Sequence, residues 1–560
     1  MDKKISSKWN EWRKQNLADP DLMNELDSIK QNESEIFDRF YRELEFGTGG
    51  LRGVIGAGTN RMNIYTVAKA TQGYSNYLKK QMKSPSVAIA YDSRIKSDLF
   101  AKKAAEVFAA NGIRVYIYPE LMPTPSLSFA VRYLKCAGGI VITASHNPSI
   151  YNGYKVYGSD GCQITTEAAS SILCEIEKLD IFNDIKSISF EKALLEEKIS
   201  YIDEKVVTAF LDAVSGQTLC GNEINKGVSI VYTPLNGSGL KCVTQVLKEN
   251  GFTNISVVPE QENPDGNFPT CPYPNPEMKE ALDLGLREAK RLGSDLLLAT
   301  DPDCDRVGIA VLDNGKYVLL SGNEVGMLLL DYICKRRIAL GKMPKDPVLV
   351  KTIVTIDMAA KIAGDYGVRV IDVLTGFKFI GEQIGRLEAN GQEESFILGF
   401  EESYGYLTGG YVRDKDAVVG SLMICEMFAY YKTQGLSLVE VLTGLYEKYG
   451  YCLNTLHSYT FEGAEGFQKM QTIMHSLRES SLMQIGSRNV IEVKDYQKGI
   501  DDLPKSNVLK YLLDGEASIV IRPSGTEPKI KVYLSVSAEN REEAEKLENS
   551  MAKELEKIFE

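Results

Sequence analysis

The feature that most constrains the fold of this chain is a loose threefold repeat of short apolar segments. Each copy contains three apolar, β-rich runs separated by helical stretches, and the third run of each copy ends in a polar loop. The runs cover 87–92, 115–118 and 140–145 in the first copy, 228–233, 255–258 and 296–301 in the second, and 348–351, 368–371 and 396–401 in the third. Such runs are typical of mainly parallel α/β sheets with both faces covered. Ligands in these folds gather at the carboxyl ends of strands, where all three polar loops are expected.

The chain beyond about Tyr451 has a different pattern. Apolar and polar residues alternate from Lys529 to Leu534, which predicts one buried and one exposed face, as in an antiparallel pair of strands. A chain of 560 residues is also too long for a single hydrophobic core. We therefore predict an α/β protein with three similar mixed α/β domains, at 1–207, 208–322 and 323–450, and a smaller C-terminal α+β domain at 451–560.

Composition excludes several classes of function. The net charge of −12 argues against a nucleic-acid partner, which needs a basic face. None of the ten cysteines forms a C-x-x-C pair, so we expect reduced thiols in a cytoplasmic protein. The charged N-terminus predicts no secretion signal, and no apolar run approaches the ~18 residues that a membrane span requires.

The loop Thr-Ala-Ser-His-Asn-Pro at 143–148 follows the last strand of the first copy. A serine at the end of a strand is a candidate nucleophile that could carry phosphate, although a turn or helix-capping serine is the default interpretation for Ser145 alone. The G-x-S-x-G pattern of many serine hydrolases is absent.

The loop Asp-Pro-Asp-Cys-Asp-Arg at 301–306 follows the last strand of the second copy. Three carboxylates at alternating positions, Asp301, Asp303 and Asp305, are suited to a hard divalent cation such as Mg²⁺. An EF-hand is excluded, because its sixth and twelfth positions would be Arg306 and Leu312 instead of Gly and Glu. Without a cation the three carboxylates would repel one another, so a plain acidic turn is a poor alternative.

Three further loops could bind a sugar phosphate. The Glu-Glu-Ser-Tyr-Gly segment at 401–405 could exchange hydrogen bonds with sugar hydroxyls, or form an acidic helix N-terminus. The Arg-Pro-Ser-Gly-Thr segment at 522–526 is a plausible anion-binding turn. The Gly-rich segment at 46–53 lacks the Walker pattern, and Arg52 is its candidate phosphate contact.

Taken in order, these motifs resemble the α-D-phosphohexomutase family. The resemblance covers nearly the whole chain and is carried by 47–52, 143–148, 301–306, 401–403 and 522–526. It implies four domains around a central active-site cleft, and intramolecular phosphotransfer between glucose 1-phosphate and glucose 6-phosphate through a 1,6-bisphosphate. The form of the 47–53 and 399–405 segments is similar to a bacterial phosphoglucomutase branch that is related to phosphopentomutases. Phe400 departs from the family pattern, since many members have Gly there.

The resemblance also implies a role for each matching residue. Ser145 is the phosphoserine, and it holds Mg²⁺ together with Asp301, Asp303 and Asp305. The other catalytic positions are Arg52, His146, Lys155, Arg306 and Lys415. The substrate-binding positions are Thr375, Gly376, Glu401, Ser403, Arg522, Ser524, Gly525 and Thr526. Glucose 1,6-bisphosphate is the expected activator and intermediate, and a monomer or homodimer without membrane or nucleic-acid partners is expected.

Other activities remain open at this stage. A phosphomannomutase or phosphopentomutase would use the same motifs. A sugar-phosphate phosphatase would carry phosphate on Asp301 instead of Ser145. In some hydrolases a strand ends in D-x-D and the first aspartate of that motif is the nucleophile. A non-catalytic sugar-phosphate sensor would need only the binding loops.

Overall fold

A computed structural model describes residues 3–47, 49–461, 463–479, 482–500, 502–523 and 529–559, with the backbone alone described at 463–465 and 467. The chain forms two compact units. Unit 1 comprises 1–320, 381–393 and 405–429, and unit 2 comprises 321–380, 394–404 and 430–560.

Unit 1 begins with three helices and a seven-stranded sheet in the order β1-β2-β6-β5-β3-β4-β7. Trp9 and Trp12 share one face of the first helix and pack edge-on against Phe40. The elements are α1 (Lys3–Lys14), α2 (Pro20–Ser28), α3 (Glu33–Phe40), β1 (Phe46–Gly47), β2 (Gly50–Val54), α4 (Ile64–Gln81), β3 (Ser86–Tyr91), α5 (Ser97–Ala110), β4 (Arg114–Ile117), α6 (Thr124–Tyr133), β5 (Gly138–Ile142), β6 (Tyr151–Gly158), α7 (Thr166–Ile176), α8 (Phe190–Leu195) and β7 (Ile199–Tyr201).

A second sheet of unit 1 has five strands in the order β12-β11-β10-β8-β9. Its apolar face packs on helix α12, where Leu282 and Leu286 are buried with Leu297 of strand β10. The elements are α9 (Glu204–Ser215), β8 (Ile230–Thr233), α10 (Leu240–Glu249), β9 (Ile255–Val257), α11 (Pro259–Glu262), α12 (Lys279–Leu292), β10 (Leu296–Thr300), β11 (Val307–Asp313) and β12 (Lys316–Leu320).

The segment from 322 to 449 contains the third copy of the repeat. Strand β13 lies between β14 and β15, and it is parallel to both. The elements are α13 (Gly322–Ala339), β13 (Val348–Thr352), α14 (Met358–Asp365), β14 (Arg369–Val373), α15 (Phe377–Ala389), a 3-10 turn (Glu393–Ser395), β15 (Phe396–Glu401), β16 (Gly405–Leu407), α16 (Ala417–Thr433) and α17 (Leu438–Tyr449).

The C-terminal part of unit 2 is an antiparallel sheet in the order β17-β22-β21-β20-β19-β18. Ile530, Val532 and Leu534 are fully buried, which confirms the buried face predicted for this strand. The face predicted to be exposed is partly covered, because Tyr533 is also buried and packs with Tyr496 and Val520. The elements are β17 (Tyr451–Thr460), α18 (Gly463–Glu479), β18 (Gln484–Ile485), β19 (Arg488–Asp495), β20 (Leu509–Leu513), β21 (Ala517–Pro523), β22 (Lys529–Ala538) and α19 (Arg541–Phe559).

The threefold repeat is confirmed at the level of strand order. In every copy the first strand lies between the second and the third, and all three are parallel: β4-β3-β5, β9-β8-β10 and β14-β13-β15. The carboxyl ends of these strands therefore present their loops at one edge of each sheet. The predicted α/β class with an α+β C-terminal part is confirmed, while the four exact boundaries stay predictions. Among the described residues, no helix has the length and apolar character that a membrane crossing needs.

Candidate active site

The Ser145 loop begins directly after strand β5, at the carboxyl edge of the first sheet. Ser145 is buried and adopts a left-handed backbone conformation with φ of 54°. A non-glycine residue in this region stores roughly 1–3 kcal/mol of strain, which the surrounding contacts must offset. The Ser145 hydroxyl donates to Oδ2 of Asp301 at 2.9 Å and lies 3.2 Å from Nδ1 of His146. The loop thus presents its hydroxyl to the aspartate loop of the second sheet.

The aspartate loop follows strand β10, and the side chains of Asp301, Asp303 and Asp305 are fully buried. Each offers one carboxylate oxygen, and these oxygens lie within 4.8 Å of one another. Oδ1 of Asp303 and Oδ1 of Asp305 have no hydrogen-bond partner within the described part of the chain. Buried carboxylate oxygens without a partner are costly, and a divalent cation with oxygen ligands would satisfy them. The residues present therefore fit a metal site.

The electrostatics of the three aspartates are unequal. Burial, together with the neighbouring Asp303 and Asp305, raises the pKa of Asp301 well above its ordinary value. Burial also acts to raise the pKa of Asp303, but the ammonium groups of Lys155 and Lys415 hold it below the ordinary value. Like charges crowded in a low-dielectric site favour protonation of one of them or capture of a cation.

Two lysines converge on the aspartate loop. Lys155 lies on strand β6, and its Nζ is 2.8 Å from Asp303 Oδ2 and 3.2 Å from Asp305 Oδ2. Lys415 Nζ is 2.8 Å from the same oxygen of Asp305. Burial acts to lower the pKa of Lys155, but Asp303 and Asp305 raise it overall, so this group is an ammonium in the arrangement observed. The two lysines that sequence analysis proposed are therefore both at the metal loop.

The remaining basic candidates occupy different positions around the Ser145 loop. Burial, with Arg306 and Arg52 nearby, lowers the pKa of His146 well below its ordinary value, so the imidazole is neutral near pH 7. Arg52 is exposed and donates to Oδ1 of Asn147 at 3.4 Å. The guanidinium of Arg306 forms an ion pair with Glu277, and its Nε lies 4.0 Å from Asp305 Oδ1.

Unit 2 contains the sugar-binding candidates. The amide of Gly376, which has a φ of 120°, donates to Oε1 of Glu401 at 2.9 Å. The hydroxyl of Thr375 is buried and has no hydrogen-bond partner within the described residues, while Ser403 is partly exposed. The Glu401 carboxylate therefore joins the end of strand β15 to the 375–376 loop.

Phe400 does not face the loop that follows it. Its ring is fully buried against Gly326 of helix α13, where a Cβ would lie 2.2 Å from ring carbons. The departure from the family pattern at this position is therefore accommodated in the core of unit 2, through a glycine on the facing helix.

The last motif is only partly described. Arg522 lies on strand β21, is partly exposed, and pairs in register with Lys531 of strand β22. Ser524, Gly525 and Thr526 lie outside the described residues, so their proposed contact with phosphate stays a prediction.

Sequence reasoning missed two residues at this site. The hydroxyl of Thr124, at the start of helix α6, donates to Asp303 Oδ2 at 3.0 Å, and its amide donates to the Asp303 carbonyl. Glu277 is the partner of Arg306. The Pro-Thr-Pro segment at 123–125 follows strand β4 and could have drawn attention to Thr124, whereas nothing local marks Glu277.

Models of known protein families match most of the chain. Four family models match in order: the phosphoglucomutase/phosphomannomutase alpha/beta/alpha domain I at 43–181, domain II at 208–315, domain III at 321–449 and the C-terminal domain at 488–554. The chain belongs to the phosphoglucomutase/phosphomannomutase family. Membership makes it an enzyme of the phosphohexomutase type, and this family is generally metal-dependent.

Individual proteins are similar to this chain over nearly their full length. A phosphoglucomutase from Staphylococcus haemolyticus is 37% identical over 517 residues, which cover 90% of this chain and 92% of that protein. The structure of pp63/parafusin, a phosphoglucomutase from Paramecium, matches with a TM-score of 0.69 at 19% identity, over 92% of this chain and 95% of that one. An N-acetylphosphoglucosamine mutase from Aspergillus fumigatus, solved with GlcNAc-6P and magnesium, matches with a TM-score of 0.53 at 14% identity, over 97% and 100%. The two structures show a shared fold.

Proposed function

We propose that this enzyme interconverts glucose 1-phosphate and glucose 6-phosphate through a phosphoserine at Ser145 and a 1,6-bisphosphate intermediate. The observation that carries the proposal is the 2.9 Å contact between the Ser145 hydroxyl and Asp301, within a buried group of three aspartates. Glucose is favoured over mannose or a pentose because relatives 36–37% identical over most of the chain are named phosphoglucomutase.

The proposed chemical step is an in-line exchange of phosphate between two oxygens. The free hydroxyl of the sugar forms a bond to phosphorus as the bond from phosphorus to Ser145 Oγ breaks. The hydroxyl proton passes to a base, and the serine oxygen takes up a proton as it leaves. The bisphosphate then returns its other phosphoryl group to Ser145 by the reverse exchange. Lys155 or Lys415 is the proposed base. Each must be a neutral amine to accept a proton, and the aspartates hold Lys155 as an ammonium, so this role requires that their carboxylates be shared with a cation.

Mg²⁺ is the proposed metal, and Asp301, Asp303, Asp305 and Ser145 would hold it. When bound, it supplies positive charge that offsets the negative charge of the moving phosphoryl group. The protein's own contribution beside it is positional. Lys155 and Thr124 contact Oδ2 of Asp303, and Lys415 contacts Oδ2 of Asp305, which leaves the two Oδ1 atoms without a partner among the described residues. Arg306 is proposed to add a second positive charge.

We propose that the enzyme binds the substrate at both ends, through its sugar hydroxyls and through its phosphate. The sugar hydroxyls would be contacted by Thr375, Gly376, Glu401 and Ser403. The phosphate that does not react would be held by Arg522, Ser524, Gly525 and Thr526. The Glu401 bond to the Gly376 amide supports a shared ligand for the first group. We further propose a cytoplasmic enzyme, active as a monomer or homodimer.

One experiment separates this proposal from its alternatives. The purified protein is analysed by mass spectrometry for phosphate on the Ser145 peptide. It is then assayed with glucose, mannose and ribose 1-phosphates, with Mg²⁺ and catalytic glucose 1,6-bisphosphate.

The variant Ser145→Ala should abolish turnover. The control variant Ser170→Ala should not, because Ser170 is an exposed serine on a helix. Turnover that survives in Ser145→Ala would contradict the proposal. Hydrolysis without isomerisation would favour a phosphatase, and absence of turnover with the bisphosphate present would favour a sensor.

A further inference from the structure

A buried arginine outside the described catalytic group lies under the Ser145 loop. The side chain of Arg94, which follows strand β3, is completely buried. Its Nη2 donates to the carbonyls of Ser145, at 2.6 Å, and Asn147. Its Nη1 donates to the carbonyls of Pro148 and Tyr151 at 2.9 and 3.0 Å. One guanidinium thus binds four carbonyl groups within the seven residues 145–151, which comprise the end of the Ser145 loop and the first residue of strand β6.

A second connection holds the amide side of the same serine. The Ser145 amide donates to the hydroxyl of Thr143 at 2.8 Å, and that hydroxyl donates to Oδ2 of Asp92 at 2.6 Å. Asp92 Oδ2 also lies 3.4 Å from Nε of Arg94. Asp92 Oδ1 accepts the Arg94 amide and the Ser97 hydroxyl. The amide and the carbonyl of Ser145 are therefore both tied to one buried ion pair.

The arginine is also covered from the second sheet's side of unit 1. Its guanidinium lies 5.1 Å from the ring centroid of Phe268, and its backbone pairs with Gly266. A cation over an aromatic face is attracted to it, and the attraction is strongest where water is excluded. The segment that contains Gly266 and Phe268, after strand β9, thus covers Arg94.

This arrangement explains how a strained nucleophile keeps its conformation. Ser145 has a positive φ, which a free loop would abandon for a relaxed conformation. Arg is the side chain whose planar fork can bind several carbonyls at once, and Lys cannot reproduce it. We propose that Asp92, Arg94 and Thr143 are positioning residues that hold the Ser145 hydroxyl in the orientation used for phosphoryl transfer. The inference rests on the proposed role of Ser145 in catalysis.

The test compares Arg94→Lys with Arg61→Lys. Arg61 is also a buried arginine with an acidic partner, Asp38, and it binds carbonyls away from the Ser145 loop. We expect Arg94→Lys to lower kcat on the order of 100-fold, the effect of a small displacement of a reacting group, with KM changed less than threefold. Arg61→Lys should leave kcat per folded molecule unchanged, even if its Tm falls.

A milder pair of variants covers the case in which Arg94→Lys does not fold. Thr143→Val removes the hydroxyl between Ser145 and Asp92 with nearly the same shape, and Thr143→Ser keeps it. We expect kcat to fall at least tenfold in Thr143→Val and to be largely restored in Thr143→Ser, at similar Tm. Equal kcat values for Thr143→Val and wild type, at full folding, would overturn the inference.

Hydrogen–deuterium exchange provides a readout that does not depend on activity. Positioning predicts that Thr143→Val and Arg94→Lys speed amide exchange in peptides covering 143–151, with little change elsewhere in unit 1. Unchanged exchange in this segment would overturn the inference even if the enzyme is a mutase. If the wild type shows no mutase turnover, the proposed function fails, while the exchange result still decides whether these residues hold the loop.

Discussion

The hydroxyl of Ser145 lies 2.9 Å from Oδ2 of Asp301, although 156 positions separate the two residues in the chain. Each residue follows the third strand of its copy of the repeat, β5 for Ser145 and β10 for Asp301. The contact therefore arises where the carboxyl edges of two sheets in unit 1 meet, which is the edge at which α/β folds bind ligands.

The first prediction concerns the metal. Asp303→Asn keeps the shape of the side chain but removes a carboxylate whose Oδ1 is buried and unsatisfied among the described residues. We expect magnesium affinity to fall at least tenfold, since hard cations prefer charged oxygen ligands. Calorimetric titration and the Mg²⁺ dependence of kcat provide the measurement. Asp283→Asn, on the exposed face of helix α12, is the matched control, and equal Mg²⁺ dependence in both variants would exclude Asp303 as a ligand.

The second prediction concerns the approach of Lys415 to the metal loop. A Cβ on Gly405 would lie 2.7 Å from Cδ of Lys415, so Gly405→Ala must displace this side chain. We expect kcat to fall about tenfold or more, because small displacements of reacting groups are costly.

Gly364→Ala is the control for this substitution. Gly364 lies in helix α14 with nothing within 4 Å of its Cβ position, so alanine there should stabilise the protein by about 0.5–1 kcal/mol and leave kcat unchanged. Steady-state kinetics and thermal unfolding test both variants, and normal kcat in Gly405→Ala would contradict a role for Lys415.

The third prediction concerns the packing of Phe400 on helix α13. Gly326→Ala would place a methyl group 2.2 Å from the Phe400 ring, and overpacking of this kind costs roughly 1–3 kcal/mol. The double variant Gly326→Ala/Phe400→Leu should recover part of this loss, because leucine leaves room for the methyl group. Tm values of the single and double variants give the coupling, and strict additivity would show that the two residues do not compete for space.

The fourth prediction concerns pH. Burial raises the pKa of Asp416 to about 6, although the Tyr411 hydroxyl and the amides of Val418 and Val419 act to lower it. An unfolded aspartate titrates near pH 4, so the folded protein holds this proton more tightly between about pH 4 and pH 6. The stabilising contribution of the protonated carboxyl is full below about pH 4 and is lost as the pH rises to 6.

Asp416→Asn tests the sign of this effect, since an amide does not titrate. The stability of the variant relative to wild type should rise by up to about 3 kcal/mol between pH 4 and pH 7. The difference between the two Tm values, measured at several pH values, provides the check. A difference that is independent of pH, or that favours wild type at higher pH, would show that folding does not raise the pKa of Asp416.

Much of the candidate site was predictable because its chemistry is local in sequence. The three aspartates share one loop, and alternating carboxylates after a buried strand indicate a cation site without any tertiary information. Ser145 is a different case. Its local sequence indicates a turn residue, and only its place in an ordered set of motifs predicts that it carries phosphate. Thr124, Glu277 and Arg94 were not predicted, because each acts on a segment distant in sequence. The Pro-Thr-Pro segment marks Thr124 only as a loop residue after a strand and does not specify its partner.

The strand pattern and the chemistry of the loops follow from the amino-acid sequence without knowledge of the fold. Short apolar runs at regular intervals specify parallel strands, and polar residues after the third run of each copy specify where reactive groups emerge. The contacts between distant segments became visible only in the folded chain: Ser145 with Asp301, Lys155 and Lys415 with the aspartates, and Arg94 with four carbonyls of the 145–151 segment. This division arises because the periodicity of apolar residues encodes which face of an element is buried, whereas the distances between loops depend on how whole sheets pack.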